Sequence, residues 1–131
     1  MHNVFVYGTL RKGEGNHGLI ADAACLAMTA SIKGVLIDTG LGYPGLLEGE
    51  GEVAGELYVV SDRHLERLDE LEEYFGEGDE ENEYDRVEVE VRTDGGSTRA
   101  WAYYYKKAGY GDAAAGSYPS FPDWKAYRMR G

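Results

Sequence analysis

Valine and charged side chains alternate along residues 84–93, and the turn sequence Asp94-Gly95-Gly96 separates this segment from an aromatic one at residues 98–105. A repeat of two predicts a strand with one buried and one solvated face, which is typical of antiparallel sheets. Asp-Gly pairs favour tight hairpin turns because glycine readily adopts the positive φ that such turns need. The two segments therefore predict a β-hairpin, and the rest of the chain must build a sheet around it.

The remaining patterns predict a single domain over residues 1–131, since a chain of this length forms one core. Strands are predicted at 3–7, 30–38 and 52–60, a short helix within 18–26, and a turn-rich stretch at 40–45. Ser61 or Asp62 would cap a longer helix over residues 63–75, and Trp124 is a candidate anchor near the C-terminus. These elements predict an α+β fold, in which a mixed, mainly antiparallel sheet curls against the helix.

The net charge of −11 makes the chain strongly acidic, and an acidic surface repels phosphate backbones and anionic membranes. We therefore expect no nucleic-acid partner and no membrane partner, and no apolar stretch approaches the roughly 18 residues of a membrane span. Cys25 is the only cysteine, so the chain forms no internal disulfide, and a reducing, cytoplasmic location is expected. Because Cys25 lies in an apolar run, we predict that it is buried as a small apolar side chain.

Motifs that can signal a cofactor or a metal are weak in this chain. Residues 13–18 match the GxGxxG pattern of dinucleotide sites, but they begin too far beyond the first predicted strand for that turn. The acidic run 76–83 lacks the glycine that a calcium loop needs at its sixth position, so it predicts a solvated loop. His2, His17 and His64 have no metal-ligand spacing. We therefore expect neither a cofactor nor a metal.

A glycine directly after the first predicted strand indicates an anion site. Gly8 lets the backbone turn, so that the N–H groups of Gly8, Thr9 and Leu10 can point outward and hold an anion, most simply a carboxylate. Arg11 and Lys12 would add positive charge beside it. On these residues alone, an ordinary strand-to-loop turn with exposed basic side chains remains an open alternative.

One acid of the long predicted helix differs from the others in the face that it occupies. At about 100° per residue, the large apolar residues fall in one arc: Leu65, Leu68, Leu71 and Phe75. Glu72 falls inside that arc, whereas the remaining acids of this stretch lie on the opposite face: Glu66, Asp69, Glu70 and Glu73. Burial would raise the pKa of the Glu72 carboxyl toward the range of a general base or acid. The alternative is that the helix frays by Leu71 and leaves Glu72 in solvent.

The strand after the acidic loop opens with Tyr84-Asp85-Arg86. Arg86 alternates in phase with Glu88 and Glu90, so we predict an ion pair with one of them. The alternative is an unpaired surface charge on the strand.

Several short motifs follow one another between residues 3 and 105: Phe5-Val6-Tyr7-Gly8-Thr9-Leu10-Arg11, Gly15-Asn16-His17, Tyr43-Pro44-Gly45, Gly55-Glu56-Leu57-Tyr58, Leu68-Asp69-Glu70-Leu71-Glu72 and Tyr84-Asp85-Arg86. In this order they resemble the γ-glutamylcyclotransferase-like proteins. Within that group, the chain is most similar in character to γ-glutamylamine cyclotransferase and the AIG2-like proteins.

The resemblance implies a small β-barrel with flanking helices, and an enzyme that needs no metal or cofactor. It implies that the loop backbone from Tyr7 to Leu10 binds the α-carboxylate of a γ-glutamyl amine or a γ-glutamyl amino acid. Glu72, in the LDxxE motif, corresponds to the family's catalytic glutamate, which would act as general base and then general acid while the substrate cyclises to 5-oxoproline and releases a free amine. Tyr103 or Tyr105 would line the pocket wall.

The chain also departs from the family pattern beside this glutamate. Glu73 stands where the family often has glycine, and the loop that follows is long and acidic, which leaves the amine half of the substrate open. Glu73 is also a rival for the catalytic position, although the helical pattern places it on the solvated face. The alternative function is a binding module that holds a small carboxylated metabolite without turnover. The chain could act as a monomer or as a homodimer.

Overall fold

The computed structural model describes residues 1–106 and 120–129. The strands are β1 His2–Val6, β2 Ala24–Asp38, β3 Pro44–Val60, β4 Tyr84–Thr93, β5 Gly96–Tyr105 and β6 Ser120–Phe121. The α-helices are α1 Asp62–Leu71 and α2 Trp124–Met129, and one 3₁₀ turn covers His17–Leu19. Among the described residues, no helix is both long enough and apolar enough to cross a membrane.

The predicted hairpin is confirmed as β4 and β5. The two strands pair antiparallel in one unbroken register, from Tyr84 opposite Tyr105 to Thr93 opposite Gly96. Asp94 and Gly95 form the connecting turn, and Gly96 has a φ of +130°, which a residue with a side chain rarely adopts. This hairpin places Tyr84 and Tyr103 on neighbouring strands near the same end of the sheet.

The strand pairings close into a ring. The sheet order is β3-β1-β5-β4-β2-β6, and an additional pairing of β2 with β3 joins the two sides. β1 and β5 pair in parallel, while every other pairing between described strands is antiparallel. The expected α+β character and the mixed, mainly antiparallel sheet are therefore confirmed.

β2 and β3 are longer than the sequence patterns predicted. β2 begins at Ala24, so the helix predicted within 18–26 is wrong, and only the short 3₁₀ turn lies in that region. β3 begins at Pro44, which takes in the end of the stretch predicted as turns. Proline is tolerated here because it is the first residue of the strand. Gly45 then packs directly on Tyr105, since an added Cβ would lie 2.9 Å from its side chain.

β1 is buried on both faces and joins two apolar cores. Val4 and Val6 pack in a core with Leu65 and Leu68 of α1. Phe5 lies in the second core, which takes residues from all five strands of the ring and so fills its interior: Phe5, Ala30, Ile32, Leu36, Leu46, Val53, Leu57, Val91, Ala100 and Ala102. The C-terminal segment closes this interior with Trp124, which is 4% exposed and confirms the predicted anchor.

α1 starts where the sequence predicted and ends earlier. Ser61 caps it, because its side chain accepts a hydrogen bond from the N–H of His64 while its own N–H donates to the His64 ring. The helix stops at Leu71, and Glu73 has a φ of +52°, in the left-handed region that cannot continue an α-helix. Phe75 therefore lies beyond the helix and is 61% exposed, so its predicted burial is wrong.

Cys25 is exposed, and its predicted burial is also wrong. It lies near the start of β2, where the register with β3 shifts between Cys25 and Ala27 and again between Ala27 and Ala30. These irregularities turn an apolar run outward, because each shift changes the face on which a side chain lies. Leu26 and Met28 in the same run are exposed as well.

Candidate active site

One cavity, of about 280 Å³, lies where the loop after β1 meets the end of α1. Four parts of the chain line it: residues 5–10 with Asn16, Tyr43 and Pro44 at the start of β3, residues 71–73 with Glu83, and Tyr84 with Tyr103 of the hairpin. It thus brings together most of the residues that the sequence singled out, from positions far apart in the chain.

The loop after β1 is held rigidly at several points. The Tyr7 hydroxyl donates to the backbone oxygen of Tyr103 at 2.6 Å. Asn16 donates twice to Thr9, from its N–H to the backbone oxygen at 2.8 Å and from its side-chain amide to the hydroxyl at 2.9 Å. Gly8 lies against Pro44 so closely that an added Cβ would come within 2.8 Å of the proline ring. The absence of a side chain at residue 8 is therefore needed for this contact.

The backbone N–H groups of Gly8, Thr9 and Leu10 donate to no acceptor within the described part of the chain. Consecutive N–H groups without a protein acceptor form an anion-binding nest when they face a cavity. All three residues line the cavity. A carboxylate is the simplest group that fits this arrangement.

Arg11 does not add its charge to this nest. It is 9% exposed, and its guanidinium donates to Glu56 at 2.9 Å and to Asp123 at 3.0 Å. The Lys12 N–H and the Tyr58 hydroxyl also donate to Glu56, both at 2.8 Å. The expectation that Arg11 adds positive charge to the anion site is therefore wrong, and Arg11 is not the exposed side chain of the alternative either.

Glu56 is the residue around which this buried cluster forms, and sequence reasoning missed it. Burial by itself raises the pKa of its carboxyl, but hydrogen bonds from the Lys12 N–H, Arg11 and Tyr58 outweigh burial and leave the pKa below its usual value. Glu56 alternates with apolar neighbours in the motif Gly55-Glu56-Leu57-Tyr58. An acidic residue at that position in a buried strand could have been recognised from the sequence, because a buried carboxylate needs hydrogen-bond or ionic partners.

Glu72 directly follows the last residue of α1. Its N–H still donates to the oxygen of Leu68 at 2.9 Å, so the end of the helix fixes its backbone. Its half-buried side chain lines the cavity, and none of the described residues donates a hydrogen bond to its carboxylate. Burial, with a smaller contribution from the negative charge of Glu83, raises the pKa of the Glu72 carboxyl to about 8.

The tyrosines around Glu72 keep their hydroxyl protons and donate them to other groups. Burial is the largest cause that raises the pKa of Tyr7, Tyr84 and Tyr103, and the charge of Glu72 adds to it in all three. Tyr84 donates to the oxygen of Pro44 at 2.8 Å. Because none of these hydroxyls donates to Glu72, the carboxylate stays available to a bound molecule.

Tyr103 and Tyr105 were alternatives for the pocket wall, and only Tyr103 lines the cavity. Tyr105 lies behind it, packed edge-on against Tyr84 with their ring centroids 5.0 Å apart. Its Cβ also fills the space above Gly45. Tyr105 therefore supports the wall from the core.

Arg86 supports the same wall, and its predicted pairing with Glu88 or Glu90 is wrong. It donates to Asp69 at 2.7 Å, and the Tyr103 hydroxyl donates to the other oxygen of that carboxylate, also at 2.7 Å. The guanidinium lies over the rings of Tyr74 and Trp101, at 5.0 and 4.9 Å from their centroids. Asp69, expected on the solvated face, is thus half-buried and anchors Tyr103.

The acidic loop is only partly the solvated segment that its composition predicted. Asn82 is 4% exposed and ties the loop together, accepting from the N–H of Phe75 at 2.6 Å and donating to the oxygen of Gly76 at 2.8 Å. The N–H of Glu83 donates to the oxygen of Glu73 at 3.0 Å and closes the base of the loop. Glu73 is exposed at the cavity edge.

No group of three or more His, Cys, Asp and Glu side chains that could hold a metal ion occurs among residues 1–106 and 120–129. The cavity instead combines a carboxylate of raised pKa with a row of N–H donors. This combination suits proton transfer on a bound carboxylate-containing molecule.

The sequence matches the family model described as gamma-glutamyl cyclotransferase, AIG2-like, over residues 4–126. The chain therefore belongs to this family and is an enzyme of the γ-glutamylcyclotransferase class, which confirms the resemblance carried by its motifs.

Named relatives agree with this class. Over 130 residues, the chain is 50% identical to the gamma-L-glutamyl-butirosin B gamma-glutamyl cyclotransferase of Niallia circulans, covering 99% of this chain and 80% of that protein. An AIG2-like protein from Mus musculus has a similar crystal structure, with a TM-score of 0.75 and 28% identity, covering 95% of this chain and 88% of that one. The crystal structure of YkqA from Bacillus subtilis gives a TM-score of 0.74 at 32% identity over 98% of this chain, which spans 41% of that protein.

Proposed function

We propose that the chain cyclises a γ-glutamyl amine or a γ-glutamyl amino acid to 5-oxoproline and a free amine, with Glu72 as general base and then general acid. The observation that carries the proposal is the desolvated carboxylate of Glu72, which has no hydrogen-bond donor among the described residues and lines the same cavity as residues 8–10. Family membership supports the reaction class. The Niallia circulans relative is named for a γ-glutamyl compound, which supports this kind of substrate.

In this proposal the glutamyl half of the substrate binds inside the cavity. Its α-carboxylate accepts hydrogen bonds from the N–H groups of Gly8, Thr9 and Leu10, and its α-ammonium lies against Glu72. Because Glu56 holds Lys12 at one end of the loop and Tyr7 is tied to Tyr103 at the other, the donors are already oriented before substrate binds. Such preorganisation reduces the entropy that is lost on binding.

Glu72 removes one proton from the α-ammonium of the substrate, and the free amine attacks the γ-carbonyl carbon of the same molecule. A carbon–nitrogen bond forms and closes the five-membered ring. The ring nitrogen loses its second proton, the amide bond to the leaving amine breaks, and the proton held by Glu72 passes to the leaving nitrogen. The second proton is taken up by the released amine, which leaves as an ammonium ion. Holding the glutamyl chain folded favours ring closure, because an intramolecular reaction gains from a near-attack geometry.

A pKa of about 8 suits both steps, because the most efficient proton-transfer group titrates near the working pH. We also interpret the closed ring of strands as the small β-barrel that the family resemblance implies. It presents the loop after β1 and the end of α1 at one opening.

The test compares the native protein with Glu72→Gln in release of 5-oxoproline from a library of γ-glutamyl amides and γ-glutamyl amino acids. We expect the substitution to lower kcat by about 10²–10⁴-fold, the usual contribution of a positioned acid–base group. Glu66→Gln, which removes a carboxylate from an exposed position on α1, is the matched control and should keep native activity.

Calorimetry with 5-oxoproline shows whether the variant still binds in the cavity. Equal activity in the native protein and Glu72→Gln would contradict the assignment of Glu72. Binding of the library without turnover in the native protein would instead favour a binding module for a carboxylated metabolite.

A further inference from the structure

We propose that the amine half of the substrate carries a positive charge of its own, and that Glu73 and Glu83 select it at the mouth of the cavity. The inference rests on the cyclotransferase reaction proposed above and adds the chemical class of the leaving group. That class is a diamine, a polyamine or another amine with a second ammonium group.

The cavity is lined by charge of one sign. Among its described lining residues, the ionisable acids are Glu72, Glu73 and Glu83, and no basic side chain is present. In the proposed reaction, Glu72 partners the α-ammonium and the N–H groups of residues 8–10 partner the α-carboxylate. Both charged groups of the glutamyl half then have partners, and neither of them uses the carboxylates of Glu73 and Glu83. A cleft lined by one sign of charge attracts a ligand of the other sign.

The nearby basic side chains do not neutralise these two carboxylates. Arg11 is bound to Glu56, and Arg86 is bound to Asp69. Lys106 is adjacent in space, since its N–H donates to the oxygen of Glu83, but its ammonium group reaches the oxygen of Asp79 instead. The negative charge at the cavity mouth therefore has no cationic partner among these side chains.

Glu83 is held in a fixed position that still leaves it able to bind an ammonium group. Its Oε2 accepts from the Tyr43 hydroxyl at 2.6 Å, and its backbone bonds to Glu73 on one side and Lys106 on the other. An ionised carboxylate has about four acceptor sites, so the tyrosine occupies only part of its capacity. A fixed carboxylate binds a cation better than a mobile one, because less side-chain entropy is lost.

Glu73 lies farther out than Glu72 and Glu83. It is exposed at the cavity edge, whereas Glu72 and Glu83 are half-buried. The glutamyl half of the substrate is held inside, so the group beyond the γ-carbonyl must extend toward the open side. The second charge of the amine half would therefore meet Glu83 first and Glu73 beyond it.

The experiment uses two γ-glutamyl amides of matched length, one with 1,4-diaminobutane and one with n-pentylamine. They differ in whether the chain ends in an ammonium or a methyl group. In the native protein we expect the diamine amide to have a kcat/KM about tenfold higher, the effect of one favourable charge contact in a partly hydrated site. The ratio should fall in 0.5 M salt, which screens exposed charges.

Glu83→Gln and Glu73→Gln should each lower that ratio, with Glu83→Gln giving the larger change. Glutamine at 83 retains an oxygen that can accept from Tyr43, so the substitution removes charge with little change of shape. Comparing the two amides within one variant cancels any change in the proton-transfer step. Glu66→Gln, an exposed acid on α1, is the matched control and should leave the ratio at its native value.

Equal kcat/KM for the two amides in the native protein, or a native ratio in both variants, would overturn the inference and leave the cyclotransferase proposal intact. If no amide releases 5-oxoproline, the proposed function fails instead. The charge preference is then measured by calorimetry with the same two amides. Tighter binding of the diamine amide that is lost in Glu83→Gln would still support the inference, and equal binding would overturn it.

Discussion

Glu83 and Glu72 are eleven residues apart in the chain, yet their carboxylates share one cavity and repel each other. Burial is the larger reason that the pKa of Glu72 is raised to about 8, and the charge of Glu83 is the smaller one. A single neighbouring acid thus adjusts the protonation of the candidate base. This relationship can be tested by removing the charge of Glu83 alone.

Glu83→Gln should shift the pH dependence of kcat/KM to lower pH. In the native protein, kcat/KM should rise with pH through a midpoint near 8, where Glu72 becomes ionised. Without the repulsion from residue 83, the Glu72 carboxylate is easier to ionise, so the midpoint should move to lower pH. Steady-state rates with one amide between pH 5.5 and 9.5 measure it. The Glu66→Gln profile should overlay that of the native protein, and an unmoved midpoint in Glu83→Gln would contradict the coupling.

Glu72 should also make the stability of the fold depend on pH. Its folded-state pKa of about 8 lies above the ordinary value of 4.5, so the folded protein binds this proton more tightly than the unfolded chain does. The resulting stability is fully present below about pH 4.5 and is lost as the pH rises through 8.

Glu72→Gln should therefore match the native protein at low pH and exceed its stability at high pH. The difference should approach roughly 1.4 kcal/mol for each unit of pKa shift. Urea unfolding at pH 5, 7 and 9 measures the free energy of unfolding of both proteins. A difference that stays constant across this range would mean that the Glu72 carboxyl is not perturbed.

Arg11→Met should strongly destabilise the protein, because Glu56 is 1% exposed and would lose the guanidinium 2.9 Å away, keeping only the Lys125 ammonium at 3.7 Å. Breaking one side of a buried ion pair costs about 3–5 kcal/mol. Lys33→Met is the matched control, since Lys33 lies 3.9 Å from Glu50 and both side chains are largely exposed. Urea unfolding should give a large loss for the first variant and a native value for the second. Similar losses in both would contradict the role of the buried pair.

Glu73→Gly should be at least as stable as the native protein, although glycine usually weakens a helix interior, because residue 73 lies just past the end of α1, where glycine is common. The φ of +52° at Glu73 costs a residue with a side chain about 1–2 kcal/mol, while glycine adopts it freely at the expense of a more flexible unfolded chain. Glu70→Gly, inside α1 and exposed, should lose about 1 kcal/mol. Thermal unfolding of the two variants compares them directly. A loss at residue 73 as large as that at residue 70 would show that its backbone is not strained.

Local patterns were sufficient for the elements whose geometry is decided by neighbouring residues. The turn at Asp94-Gly95 and the alternation before it specified the hairpin, and Ser61 specified the start of α1. The end of that helix was not predictable in the same way. No glycine or proline stands at residues 72–75, and the helix stops because Glu73 adopts a left-handed conformation that other parts of the fold impose.

The candidate site was likewise only partly predictable from the sequence. The order of the sequence motifs identified the loop after β1 and Glu72 as candidate site residues, and the structure places both at one cavity. The helical wheel predicted a desolvated Glu72, and its carboxyl is desolvated although α1 ends one residue earlier, at Leu71. Arg11 was expected to add positive charge to the anion site, but it binds Glu56, which lies on β3 and is distant in the sequence. Contacts between residues far apart in the chain determine the surroundings of such side chains, and a single sequence does not show which residues make these contacts.

The closed base of the acidic loop has a consequence for how this protein can diverge. The bond between Glu83 and Glu73, together with the buried Asn82, closes the base of the loop, and residues 77–81 do not line the cavity. Lengthening a loop whose ends are already joined costs little extra entropy. Insertions and substitutions in this segment can therefore accumulate without displacing Glu72. In the cyclisation proposed above, selectivity for the departing amine can then change during evolution while Glu72 keeps its position.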